Sequence, residues 1–349
     1  MIEAHVVDAW TAPSVRTSAA FRNLTVLGGL AAPLFLWLAG LSLSLSAEST
    51  ARRTNNRLVA LRAALNRGAW VFALAFLFRL QAFVLTPGGS PISLLRVDIL
   101  NVMGPSLAAG ALIWWLSTGG RVAVAALGAA ALMTAMVTPL VREAAWVNDI
   151  PSWLQWYLRP SGEHTNFTLL PWMGFVLAGA AAGAILAVTD RLFERALTMA
   201  IGLTGVALLA LGLYTATLPP LYPYASFWTS SPTFFAVRTG ILMVALWMMF
   251  EISQVTRAAA GHALALLERF GRHSLFVYWI HVELVYGYLS WPIWRRLPIW
   301  GVGIAYAAFL TLIAVAVELW ASRDRSPLAA EFKRLFGGTK NVEIDSAYD

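Results

Sequence analysis

The segment Gly271-Arg272-His273-Ser274-Leu275-Phe276-Val277-Tyr278-Trp279-Ile280-His281 holds a hydroxyl, a phenol and an imidazole at steps of four and three residues. On a helix, Ser274, Tyr278 and His281 share one face. Imidazole titrates near neutral pH, so such a stripe suits proton transfer to or from a bound ligand. A single histidine in an apolar helix also serves as a hydrogen-bonded packing element; the shared stripe favours ligand contact. Arg79, Arg96, Asp98, Asn101, Arg238 and Glu283 are the other polar groups set within or at the ends of apolar runs, where charge is costly without a partner or a wet cavity. Structural pairing, with Arg79 or Arg96 bridging Asp98 or Glu283, is one use for them. Taken together they point to a polar cavity, on the side where His5 and Asp8 emerge.

Other chemistries are excluded or unsupported. The chain has no cysteine, which removes disulfides, thiolate metal sites and a cysteine nucleophile. The five histidines show no His-Glu-x-x-His spacing, and no metal is expected. Gly301-x-Gly303 lies in an apolar run and reads as a packing feature rather than a phosphate loop.

The elements that must position these residues are membrane helices. Of 349 residues, 59% are hydrophobic and only 12% charged, about half the charge of a soluble domain. The charges cluster between apolar runs long enough to cross a bilayer. The fold class is therefore all-α, a polytopic integral membrane bundle of about nine transmembrane helices: 23–46, 66–86, 96–117, 121–138, 166–188, 194–218, 234–254, 270–290 and 299–320. Gly179-x-x-x-Gly183 offers a face for close helix approach. Glu251 and Glu318 fall near helix ends, where water reaches them. The loop 139–165, with Trp146, Trp153, Trp156 and Tyr157, reads either as a tryptophan-anchored interfacial segment or as a lid.

Sixteen basic residues fall on one set of alternate loops and the tail, and seven on the other. The positive-inside rule then places residues 1–22 outside as an extracytoplasmic segment, 23–320 as the transmembrane domain, and 321–349 as a cytoplasmic tail. The net charge of +7 reflects this topology and does not call for nucleic acid. The arginine and alanine bias suggests a bacterial cytoplasmic (inner) membrane.

Several islands, in order, resemble the bacterial relatives of heparan-α-glucosaminide N-acetyltransferase within the membrane acyltransferase superfamily. They are His5-Val-Val-Asp8-Ala-Trp10, Ala32-Pro33-Leu-Phe-Leu-Trp-Leu-Ala-Gly40, Arg96-Val-Asp98-Ile-Leu-Asn101-Val-Met-Gly104, Leu170-Pro171-Trp172-Met-Gly174 and the Gly271–His281 helix. The resemblance implies transfer of an acetyl or other acyl group from acyl-CoA, with acetyl-CoA as the expected co-substrate, to an amine or hydroxyl of a sugar or glycolipid. It also implies a catalytic histidine base just after the family's first helix, a place that His5 occupies. Most of that first helix is expected to be missing or truncated here. Asp8 can orient His5 only if the stretch is helical, and Arg272 suits the CoA phosphates. The expected partners are membrane lipid and a carbohydrate or glycolipid acceptor; a homodimer is compatible with the sequence. The alternative is a non-enzymatic carrier with Arg79, Asp98 and His281 along a solute path, which the lack of a visible internal repeat disfavours.

Overall fold

A computed structural model describes residues 1–85, 90–256 and 261–323. The tail beyond residue 323 lies outside the described residues. All helices and turns among the described residues form an α-helical protein with no named strand. The helices are α1 (Ile2–Trp10), α2 (Ala19–Gly28), α3 (Ala31–Thr54), α4 (Arg57–Leu85), α5 (Ile99–Leu116), α6 (Gly120–Glu143), α7 (Ser152–Leu158), α8 (Leu169–Ala187), α9 (Glu194–Thr215), α10 (Pro232–Thr256), α11 (Gly261–Arg272), α12 (Ser274–Tyr286) and α13 (Ile299–Arg323).

Among the described residues, eight helical stretches are long and apolar enough to cross a membrane, and the chain is an integral membrane protein. The ninth expected span, 270–290, is built differently. It comprises the end of α11, a break at His273, the 13-residue α12 and a 3-10 turn at Tyr288–Ser290. Thirteen residues reach about 20 Å, short of a hydrocarbon core of about 30 Å. The long apolar side chains left exposed, such as Trp70, Leu132 and Leu203, are what a lipid-facing surface requires.

The chain divides into two compact units, residues 29–256 and residues 1–28 with 257–349. In the larger unit, α5 and α8 are central, with 61% and 56% of their spans buried. Helices α3 and α8 pack backbone to backbone. A methyl group built on Gly40 would run into the Val176 carbonyl, and one on Gly179 into the Trp37 carbonyl. The small-residue stripe read from Gly179 and Gly183 is thus a helix-crossing point. Gly179→Leu is expected to leave no monodisperse folded protein in detergent, checked by size-exclusion chromatography.

Helix α5 starts where it does because Asp98 caps it. Its carboxylate accepts from the Ile99 N–H (3.0 Å), while the Asp98 N–H donates to Asn101 Oδ1 (3.0 Å) in a capping box. The preceding Val97 is fully buried and exchanges backbone bonds with the 164–166 segment: its N–H to His164 O (2.9 Å), and Asn166 N–H to its carbonyl (3.0 Å). Those bonds anchor the loop 139–165. Within the loop Trp156 is buried and stacks on His164 (4.4 Å between centroids), whereas Trp146 and Trp153 stay exposed.

In the smaller unit, α1 packs on α2, α12 and α13. Its apolar face, Val6, Val7, Ala9 and Trp10, meets Val277 and Val285 of α12 and Val302, Phe309 and Ile313 of α13. The last carbonyls of a helix have no partner within it. Here the segment before α13 supplies them: the Arg295 N–H donates to Ala9 O and the Leu297 N–H to Trp10 O, both at 2.9 Å. Arg295 sits at φ +52 to make that approach. The end of α1 is thus held from 295–297.

Candidate active site

Residues 2–10 are helical, so His5 and Asp8 lie about one turn apart on the same face. Their side chains are joined through Tyr286, the last residue of α12. Tyr286 donates its phenolic hydrogen to Asp8 Oδ2 (3.1 Å), and its oxygen lies 3.0 Å from Nδ1 of His5. A phenol has one hydrogen, and a carboxylate can only accept. Once that hydrogen goes to Asp8, the phenol oxygen accepts from Nδ1–H of His5. The arrangement fixes the tautomer in which Nδ1 carries the proton and Nε2 is the basic nitrogen. Asp8 is steadied in turn by Arg16, whose guanidinium lies 3.6 Å from Oδ1 and also donates to the Asp8 backbone carbonyl.

This is the logic of a base held by a third group, with a tyrosine between imidazole and carboxylate. Asp8 orients His5 through an intermediary, and sequence reasoning missed Tyr286. Nothing in local spacing could have found it, because the contact joins residues 281 positions apart. Tyr286→Phe removes both bonds while keeping the ring. A hydrogen bond to an ionised group contributes about 1.5–3 kcal/mol, so a fall in kcat of roughly 10- to 100-fold is expected, with acceptor KM unchanged, measured by steady-state acetyl transfer.

His281 sits beside His5, with ring centroids 5.2 Å apart. It is 1% exposed, and its Nδ1 bonds the Val277 carbonyl one turn back at 2.6 Å. A carbonyl only accepts, so Nδ1 bears the hydrogen. Its Nε2 is buried and has no hydrogen-bond partner among the described residues. Tyr278 meets His281 edge-on (5.9 Å), as the sequence stripe requires. Ser274 is exposed at the start of α12, two turns from His281, and is not brought to the imidazoles. Glu283 is half-buried on the same helix. Arg272 is well exposed and pairs with Glu268 at 2.5 Å across one helical turn.

The remaining nominated residues lie in the larger unit. Arg79 and Asp98 form a largely buried ion pair, so the cap of α5 also neutralises a cation from α4. Asn101 completes the capping box and is 1% exposed, facing Tyr157. Burial pushes the Tyr157 phenol above its ordinary pKa, an effect that the Asn101 side chain opposes. Arg96 donates to Asn166 Oδ1 (2.6 Å), bracing the same junction as the Val97 backbone bonds. Arg238 lies over the Phe234 ring at 4.2 Å. Arg79, Asp98, Asn101 and Arg96 therefore have structural work at the start of α5.

Two carboxylates expected to be wetted are partly exposed and are also paired. Glu251 accepts a forked contact from Arg195 (3.1 Å to each oxygen), and Glu318 pairs with Arg269. Both tie neighbouring helices together, which spacing along one helix does not reveal.

No curated protein and no solved structure matched the chain. The family described as heparan-alpha-glucosaminide N-acetyltransferase, catalytic, matches residues 1–214, which include His5, Asp8, Arg79, Arg96, Asp98 and Asn101. Tyr286 and His281 lie beyond the matched region. With well over half of the sequence covered, this membrane protein belongs to the heparan-alpha-glucosaminide N-acetyltransferase catalytic family, a family of membrane acetyltransferases.

Proposed function

We propose that the chain transfers an acetyl group from acetyl-CoA to an amine or hydroxyl of a sugar or glycolipid presented on the extracytoplasmic side, with His5 as the base. The observation that carries this reading is the His5–Tyr286–Asp8 chain of hydrogen bonds. It leaves one imidazole nitrogen basic and holds the ring in a single orientation. Attack on a thioester requires the acceptor's nitrogen or oxygen to lose a proton as it bonds to the acyl carbon, and an imidazole does this near neutral pH. With no cysteine in the chain, the route is either direct transfer or a transient acyl-histidine. Arg272 is the candidate for the CoA phosphates. It is exposed and held only by a surface pair, a weak interaction that a polyanion can displace.

In this reading the arginine distribution puts residues 1–22 outside and the tail in the cytoplasm, with 270–290 crossing as a broken helix made of α11, α12 and the turn after it. The test is acetyl transfer by purified protein in proteoliposomes, with radiolabelled acetyl-CoA and a panel of amino sugars and glycolipids. The expected result is labelled acceptor with stoichiometric release of CoA, together with thermal stabilisation by CoA alone. Solute flux without consumption of acetyl-CoA would replace this reading with a carrier.

A further inference from the structure

We infer that Arg142 and Arg238 build an anion site at one end of the larger unit, and that the site takes a phosphate group. The inference goes beyond the acetyl transfer proposed above and concerns residues 29–256 alone. It starts from charge balance. A cation set among apolar helices is costly without a counter-charge. In this unit Arg79 meets that cost with Asp98, and Arg195 with Glu251. Arg142 and Arg238 are both half-buried, and neither is in an ion pair among the described residues.

Arg142 lies in the last turn of α6. Its Nη1 donates to Thr229 Oγ1 (3.1 Å), and its Nη2 to Thr168 Oγ1 (2.9 Å) and the Leu170 carbonyl (3.4 Å). All three acceptors are neutral, and Nε is buried with no hydrogen-bond partner among the described residues. The carbonyl end of α6 supplies part of a counter-charge. The guanidinium, however, reaches the start of α8 and the turn before α10, where the helix dipoles carry its own sign. Arg238 lies in the second turn of α10, with its guanidinium over the Phe234 ring at 4.2 Å. The ring attracts a cation but accepts no conventional hydrogen bond. None of the five N–H groups of Arg238 has an acceptor among the described residues.

Both arginines are tied to the turn at 226–231. Arg142 holds Thr229 of that turn, and Phe234, which carries Arg238, packs against its Phe227 (6.4 Å between centroids). Trp228 and Thr229 are exposed, so the turn faces the surroundings. The Thr229 hydroxyl accepts from Arg142 and keeps its own hydrogen to donate. Through the contacts of Arg142, the end of one apolar span meets the beginnings of two others. Span ends lie at headgroup level, where phosphate is the abundant anion, and a guanidinium fork matches two phosphate oxygens. A lipid phosphate is therefore the favoured source.

The test is ligand binding by the full chain in maltoside micelles, read by native mass spectrometry and by thermal shift. Three probes are compared: dioleoylphosphatidylglycerol, a phosphate-free galactosyl dioleoylglycerol and inorganic phosphate. The native protein is expected to prefer the phospholipid to the galactolipid by at least about 10-fold, which charge-assisted contacts supply. Arg142→Gln and Arg238→Gln are each expected to lose most of that preference. Arg53→Gln, at an exposed arginine elsewhere in the unit, is expected to keep it. Equal affinity of the native protein for the two lipids, with no stabilisation by inorganic phosphate, overturns the inference whether or not any variant folds. A preference that survives in folded Arg238→Gln overturns it too, as does a loss in Arg53→Gln equal to that in Arg238→Gln. Stabilisation by inorganic phosphate that disappears in Arg238→Gln, without a preference between lipids, upholds the anion site and assigns it a soluble phosphate.

Discussion

His5→Ala is expected to lower acetyl transfer by at least about 10²- to 10⁴-fold, the range that a positioned general base supplies, while the protein keeps its elution profile and thermal transition. The expectation that folding survives has a physical basis. His5 is only partly buried, and the face of α1 that packs the core is formed by Val6, Val7, Ala9 and Trp10. The backbone bonds that hold the end of α1 come from Arg295 and Leu297 and do not involve the imidazole. Steady-state kinetics at saturating acetyl-CoA, alongside a melting curve, decide the matter. Full activity in a folded His5→Ala protein would remove this residue from the reaction. His5→Gln sharpens the result, since it retains a donor for Tyr286 but has no basic nitrogen; it should be as inactive as the alanine variant.

A large loss of stability is expected at Asp98. Its carboxylate caps α5 and pairs with Arg79, both side chains being mostly out of solvent. Asp98→Ala leaves the guanidinium without its anion in a poorly solvated place, at a cost of about 3–5 kcal/mol, and loses a cap of about 1 kcal/mol. Asp98→Asn keeps a capping oxygen and should recover only the smaller part. Replacing both partners, as Arg79→Met with Asp98→Asn, is expected to be milder than Asp98→Ala alone, because no isolated charge remains. Denaturation in mixed micelles measures all three; a double variant as unstable as Asp98→Ala would show that a stranded guanidinium is not the source of the cost.

These two residues also show how much the sequence disclosed. Apolar run length marked every long helix, because a bilayer demands a set number of consecutive apolar residues whatever the tertiary packing. It failed to describe 270–290, where a break at His273 and the turn after Tyr286 shorten the helix to 13 residues. Charge in apolar surroundings left open whether Arg79 or Arg96 bridges Asp98 or Glu283, and the structure shows Arg79 paired with Asp98. His5 was nominated through the family resemblance carried by His5-Val-Val-Asp8-Ala-Trp10. Tyr286 was not legible, since no periodicity connects α1 to a residue 281 positions away, and aromatic residues are common in membrane helices for reasons unrelated to chemistry. The partners of Glu251 and Glu318 were not legible for the same reason: each sits on another helix.

The separation between His5 and Tyr286 has a consequence for biosynthesis. The phenolic partner of the His5 imidazole leaves the ribosome 281 residues after it, an interval on the order of tens of seconds at ordinary elongation rates. Throughout that time α1 has neither α12 nor α13 to pack against, and the strap that terminates it has yet to be translated. A nascent chain, or one cut short by a premature stop ahead of position 286, carries the histidine without its phenolic partner, so the His5–Tyr286–Asp8 arrangement forms only once α12 has been translated.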